Sequence, residues 1–381
     1  ITTRTHGTAM RPGARRRQWA VCCAASPARR LVATRCGRTW ASAEQVDQEI
    51  VKQLNAKVLE LDGKGQFAEA IPIAQQALEM TLRLRGPQHP TTAASISNLA
   101  SLNYKNGAYA EAELLFKHAL EIQERVLGLI HPDTAMSLNN LAELYHEIGA
   151  YTTAESFHEK ALAIRTQVLG PRHPDTATSL SNLAGLHYKR GDFAKAELLY
   201  EEALAIYQQI LGIQDPLTIQ TLMNLGILYQ ETGAYAKAQP LLEKAFTINL
   251  QTLGPEHPTT MKSLNNVAML YQNAGSHAMA KFLLLGGVEL QKQISGPRHP
   301  DTAAMLNNLA TVYISTDEYA EAKALLEEVL TIHKQIYGPQ HPSTATSLNN
   351  LAEVYRVTGA YAESQPLYEE ALAITNQTLG P

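Results

Sequence analysis

Apolar residues return along most of this chain in two interleaved helical stripes. Between His131 and Arg172, Leu138, Leu141, Ala142 and Tyr145 recur at intervals of one, three and four, and Ala154, Phe157, Ala161, Leu162 and Ile164 form a second set after a short break. That spacing marks two amphipathic helices, each with one face to bury. Pro132 suits a first helical turn, where its missing N–H has no partner to lose, and Asp133 sits favourably at the positive helix end. Gly149 separates the two helices, and Gly170-Pro171 ends the second. The pattern predicts helix A over 132–147 and helix B over 151–169.

The same phrase returns every 42 residues. His-Pro stands at His89-Pro90, His131-Pro132, His173-Pro174, His257-Pro258, His299-Pro300 and His341-Pro342, and Asp215-Pro216 fills the one gap. A fixed period of this size means a solenoid of stacked helix pairs and overrides the two or three domains that 381 residues would otherwise suggest. Ala142, Ala154 and Ala161 let neighbouring helices approach to about 8–10 Å. Counting from Asp47 gives eight pairs, or sixteen helices. In residues 47–88 helix B is kept (Phe67, Ala70, Ala77, Leu78), whereas Lys57 replaces the usual Leu of helix A, as suits a cap on the array. Gly286-Gly287 should weaken its helix by about 1 kcal/mol per Gly, and a local bend is expected there. Pro72, Pro240 and Pro366 share a helix-B slot that elsewhere holds Leu114, Ser156, Leu198, Phe282 and Ala324, so any kink is tolerated rather than required.

The order Leu138, Leu141, Ala142, Tyr145, Tyr151, Ala154, Ala161 resembles the tetratricopeptide repeat, and the 42-residue phrase HPDTA…LNNLA…Y…A…AL.I…LG is similar to its kinesin-light-chain-like subtype. The likeness covers residues 47–381. It implies an all-α, right-handed α-solenoid of tandem antiparallel helix pairs, and a protein that binds other proteins.

Composition divides the chain in two. Residues 1–43 hold nine arginines, no lysine and no acid, and contain both tryptophans and all three cysteines; with a whole-chain net charge of −4, the remainder carries −13. Residues 1–46 therefore read as a basic, disordered or targeting-like segment, and 47–381 as the repeat array. The run from Met10 to Ser42 is transit-peptide-like, which would send the protein to a mitochondrion or another organelle. A body without cysteine suits a reducing compartment, and a cytoplasmic location is expected otherwise. The near balance of charge excludes a general nucleic-acid binder, and no apolar run is long enough for membrane insertion. Ile1 in place of Met, and an end at Gly380-Pro381 where the phrase should begin again, suggest a piece of a longer chain.

No catalytic signature is present: no Gly-x-Ser-x-Gly, no phosphate-cradling loop, no His-Glu-x-x-His and no Cys-x-x-Cys. A non-enzymatic role without a cofactor is expected. Glu201-Glu202 and Glu369-Glu370 read as solvated helix surface. The repeated histidines are poor metal ligands, because equivalent positions in stacked units stand about 10 Å apart while zinc ligands converge at about 2 Å. His131 and its counterparts are expected to terminate helix A, a task Asp215 performs equally well.

The strongest functional signal is a column of asparagines. Asn98, Asn140, Asn182, Asn224, Asn266, Asn308 and Asn350 fill one slot of helix A in seven consecutive units, after a residue that varies (Ser97, Asn139, Ser181, Met223, Asn265, Asn307, Asn349). An amide adds nothing to helix propensity, yet it carries both a donor and an acceptor, which is what reading the backbone of an extended peptide requires. The family resemblance implies that this slot faces a concave groove; alternatively each amide satisfies a polar group of the adjacent helix. Positions three and seven beyond each Asn share its face. Among them Lys105 and Lys189 predict local positive charge, and Ile227 and Met269 an apolar centre, suited to a peptide with an acidic residue beside a hydrophobic anchor. A chaperone-type carboxylate clamp fits poorly, since Lys262 is the only basic residue four before a ladder Asn.

Three roles follow as expectations. The first is a scaffold that binds extended peptide segments of partners whose identity is open. The second, implied by the resemblance, is a motor cargo adaptor, although residues 1–46 show no heptads for pairing with a motor chain. The third is a regulatory repeat arm of a larger signalling ATPase or enzyme. The last helix B, with no following unit to cover it, offers a surface for self-association.

Overall fold

The structure, a computed structural model, describes the backbone of residues 27–63 and 65–379 and the side chains of 45–63 and 65–376. Most of the transit-peptide-like run and the terminal Gly380-Pro381 lie outside these described residues. Among the described residues there are sixteen α-helices and no strand. They are α1 (Pro27–Gly63), α2 (Phe67–Arg85), α3 (Pro90–Lys105), α4 (Tyr109–Leu127), α5 (Pro132–Glu147), α6 (Tyr151–Leu169), α7 (Pro174–Lys189), α8 (Phe193–Ile210), α9 (Pro216–Glu231), α10 (Tyr235–Leu253), α11 (Pro258–Asn273), α12 (His277–Ser295), α13 (Pro300–Ser315), α14 (Tyr319–Ile336), α15 (Pro342–Val357) and α16 (Tyr361–Leu379). From α3 onward the odd-numbered helices are helices A and the even-numbered ones helices B. The sequence boundary at residue 46 falls inside α1, which crosses it without a break.

The repeated phrase explains how each helix A starts. In α5 the His131 Nδ1 accepts a hydrogen bond from the Asp133 N–H at 3.1 Å, while Pro132 occupies the first turn. His89, His173, His257, His299 and His341 cap their helices in the same way, and Asp215 does so through Oδ1 to the Leu217 N–H at 2.9 Å. The following threonine ties the new helix to the one before. Thr134 Oγ1 donates to the Gly128 carbonyl at 2.9 Å, Thr176 to Gly170 at 2.8 Å, and Thr344 to Gly338 at 2.8 Å. Gly149, between helices A and B, adopts φ +79°, a left-handed conformation that a side chain resists. Asp317 holds the equivalent turn at φ +61°.

The described helices pack as two compact units that divide between residues 164 and 165. In the first, Ala100, Ala112, Phe116, Leu141 and Leu144 form one buried cluster, and Ala135, Leu138 and Ala161 another. In the second, Leu222, Leu225, Leu228, Leu242 and Leu270 lie in an extended core that runs from α7 to α11. Ala142, Ala154 and Ala161 are fully buried, as close helix approach requires.

The glycine pair does not interrupt α12, and each of Pro72, Pro240 and Pro366 lies within a continuous helix. Gly287 is a close-approach position: a Cβ there would stand 2.8 Å from Leu264 Cδ2 and 2.9 Å from Met305 Sδ.

Candidate peptide-binding face

The seven asparagines occupy the same position of their A helices, Asn98 and Asn140 in the first unit and the others in the second. Asn98 is exposed, and Asn140, Asn182, Asn224, Asn266, Asn308 and Asn350 are half-buried; none is sealed inside the fold. Several of these amides are engaged. Asn308 Nδ2 donates to Asn265 Oδ1 at 2.7 Å, and Asn350 Nδ2 to Asn307 Oδ1 at 2.8 Å, so each links its helix A to the helix A before it. Asn224 accepts from Gln220 Nε2 at 2.8 Å and also bonds the buried Tyr200 phenol, whose pKa is pushed up to about 12 chiefly by desolvation. Among the described residues no side-chain hydrogen bond involves Asn98, Asn140 or Asn266. The reading in which an amide satisfies a polar group of an adjacent helix thus holds for Asn224, Asn308 and Asn350.

The flanking positions differ from the expected charge pattern in one respect. Lys105 is not an unpaired cation: its Nζ lies 2.7 and 2.8 Å from the two carboxylate oxygens of Asp62 on α1, and 5.9 Å from the Phe67 ring centroid. The pair joins residues 43 apart, beyond the reach of any local pattern. Lys189 is exposed at the end of α7. Ile227 and Met269 are half-buried on α9 and α11, and Ile227 packs against the core from its exposed edge.

A second set of polar groups joins α8, α9 and α10. Tyr229 donates to Glu197 at 2.8 Å and Glu201 at 2.9 Å; burial and these two carboxylates together raise its pKa strongly. Lys237 completes the group, 3.0 Å from Glu197 Oε1 and 4.7 Å over the Tyr229 ring. Glu201, Tyr229 and Lys237 border a cleft of about 370 Å³ with Leu204, Leu225 and Leu241. Its charges are satisfied by one another, which suits a structural role. Among the described residues, no three His, Cys, Asp or Glu side chains converge to hold a metal ion.

Sequence reading missed a polar column on helix B. Thr81, Gln123, Arg165, Tyr207, Asn249, Gln291, His333 and Thr375 share one slot, and the first six are buried. Arg165 reaches Ser179 Oγ at 2.9 Å and the Asp175 carbonyl at 3.0 Å; Asn249 Nδ2 reaches Ser263 Oγ at 3.3 Å; His333 Nδ1 lies 2.6 Å from Ser347 Oγ. Each joins a helix B to the next helix A. The signal was a polar residue recurring four places after the packing alanine, hidden because its identity changes from unit to unit.

The sequence profile of the tetratricopeptide repeat family matches residues 61–125, 133–209, 217–293, 283–335 and 301–377. A comparison with curated proteins finds no match. Among solved structures, the chain is similar to a variant of a kinesin-light-chain-type protein from Podosopora anserina with nearly identical TPR-like repeats: 29% identity over 54% of this chain and 98% of that one, TM-score 0.50. It shares its fold with the apo quorum sensor NprR from B. thuringiensis, at 16% identity over 96% of this chain and 98% of that one, TM-score 0.63. The same holds for a signal transduction ATPase with a tetratricopeptide repeat sensor from Pyrococcus horikoshii, at 17% identity over 86% of this chain and 47% of that one, TM-score 0.59.

Proposed function

We propose, given that this chain belongs to the tetratricopeptide repeat family in its 42-residue, kinesin-light-chain-like form, that it is a non-catalytic scaffold whose helix-A face binds extended peptide segments of partner proteins. The observation that carries this reading is the asparagine column, repeated in seven units and kept out of the core in every one. A solvated helix surface gains nothing from asparagine, which is a poor helix former. An amide does offer a peptide backbone a donor and an acceptor at once, at intervals set by the stacking of the repeats. Asn98 and Asn140 are the foremost contact residues of the first unit and Asn266 that of the second, where Asn182, Asn224, Asn308 and Asn350 stand at the same position.

The ligand that fits this face is an extended segment with an apolar anchor for Ile227 and Met269. An acidic residue in it would meet Lys189 rather than Lys105, whose charge is spent on Asp62. A motor cargo adaptor is a narrower form of the same reading, favoured by the repeat subtype alone. Peptides selected from a random display library against the full chain test the proposal: a bound peptide should slow hydrogen exchange in helices A, and protection confined to helices B would refute it.

A further inference from the structure

The helix-B surface changes character at one place. At three outward slots, seven of the eight B helices carry charged or polar residues: Glu69, Glu111, Thr153, Lys195, Lys237, Glu321 and Glu363 at the first, for example. In α12 the same three slots hold Met279, Leu285 and Gly286. Phe282 stands among them, so Met279, Phe282, Leu285 and Gly286 follow at intervals of three, three and one along one helical face. Phe282 is 73% exposed, and Met279 and Leu285 are each 46% exposed. A large aromatic ring this open, ringed by other apolar groups, marks an interaction surface rather than a solvated one.

Gly286 sharpens the point. Its neighbour Gly287 is required by packing against Leu264 and Met305, whereas a Cβ on Gly286 would meet nothing within 4 Å. The fold of this chain therefore gives no reason for glycine at 286, where the other repeats hold Gln76, His118, Lys160, Glu202, Lys244, Glu328 and Glu370. The result is an open notch one helical turn from an exposed aromatic knob.

We propose that α12 is a self-association surface on which a second copy of this chain docks through a two-fold axis. Knob and notch lie on the same ridge, four residues apart, so two antiparallel α12 helices seat Phe282 of each copy over Gly286 of the other. That reciprocity is what a closed, isologous dimer requires. The charges beside the ridge agree with the same register. The 42-residue period places residue 326 of α14 level with residue 284 of α12, and Lys292 on α12 reaches Glu328 on α14 at 2.9 Å, which fixes the two helices side by side. Rotation about an axis at that level sets Lys323 of one copy, which lies 3.9 Å from Glu327 of its own helix and 4.7 Å over the Tyr355 ring, opposite Glu327 and Glu328 of the other, twice over, so opposite charges flank the apolar centre.

Sedimentation equilibrium of the full chain across a wide concentration range tests this. A reversible dimer is expected, weakened about tenfold or more by Phe282→Ser. Gly286→Ala separates association from folding: it should raise the unfolding midpoint, because alanine favours the helix, and yet weaken the dimer by filling the notch. A monomer at every concentration would overturn the proposal. So would a dimer indifferent to both Phe282→Ser and Gly286→Ala, which would place the contact elsewhere, as on the last helix.

Discussion

Met305 occupies space that Gly287 leaves open: its Sδ lies 2.9 Å from the point where a Cβ on Gly287 would stand. The equivalent of Met305 is Ser95, Ser137, Ser179, Thr221, Ser263 or Ser347 in the other repeats, and the equivalent of Gly287 is alanine in six of seven. A large residue gained on helix A is matched by a side chain lost on helix B. The exchange also explains Gln291, which lacks the usual serine partner and bonds Ser295 Oγ at 3.0 Å instead. Gly287→Ala should therefore destabilise the second unit by roughly 1–3 kcal/mol through overpacking, while Gly287→Ala with Met305→Ser should recover most of that loss. Denaturant unfolding of the two variants measures the coupling.

The capping histidines make a second prediction. His131→Ala removes the acceptor for the Asp133 N–H and should cost about 1 kcal/mol, seen as faster hydrogen exchange in the first turn of α5. His131→Asp should restore protection, because Asp215 performs the same task at the start of α9.

Acid sensitivity should have a local source in α14. His333 is half-buried against Ser347, the Ser343 carbonyl and His341; burial lowers its pKa first, opposed by the bond to Ser343 and aided by His341. A base whose folded pKa is depressed binds fewer protons folded than unfolded, so its contribution is complete above the unfolded value of 6.5 and is lost as pH falls below it. Stability of the second unit should thus decline on acidification below about 6.5, and His333→Gln should flatten that part of the profile. Chemical denaturation at a series of pH values reads both.

Asp317 holds φ +61° where the other repeats have glycine, with Oδ1 accepting from the Tyr319 hydroxyl at 2.6 Å. The left-handed conformation costs a non-glycine residue about 1–2 kcal/mol, only part of which that exposed bond returns. Asp317→Gly should raise the thermal midpoint, and a fall would show that the bond outweighs the strain.

Helix limits were legible because punctuation fixes them. His131-Pro132 and Gly149 place helix A of the third pair, and it spans Pro132–Glu147 as expected; helix B spans Tyr151–Leu169. What escaped the sequence depends on distance or on changing residue identity. The Lys105–Asp62 pair and the Asn308–Asn265 bond each join residues 43 apart, so they exist only once the repeats stack. The Arg165, Asn249 and His333 series uses a different side chain each time for one job, and no repeated letter announces it. The asparagine column was visible at once, but which amides serve the neighbouring helix emerged only from the structure.

The proposed reading of an extended peptide by the helix-A asparagines is open to a binding measurement. Its most direct test is the affinity of a library-selected peptide for the full chain and for the Asn140→Ala and Asn266→Ala variants, together with their thermal midpoints. The substitution in the unit that holds the peptide should weaken binding by roughly fivefold to tenfold, the worth of about one hydrogen bond, with the midpoint unchanged because neither amide bonds another side chain. Undiminished binding in the double variant would contradict the claim.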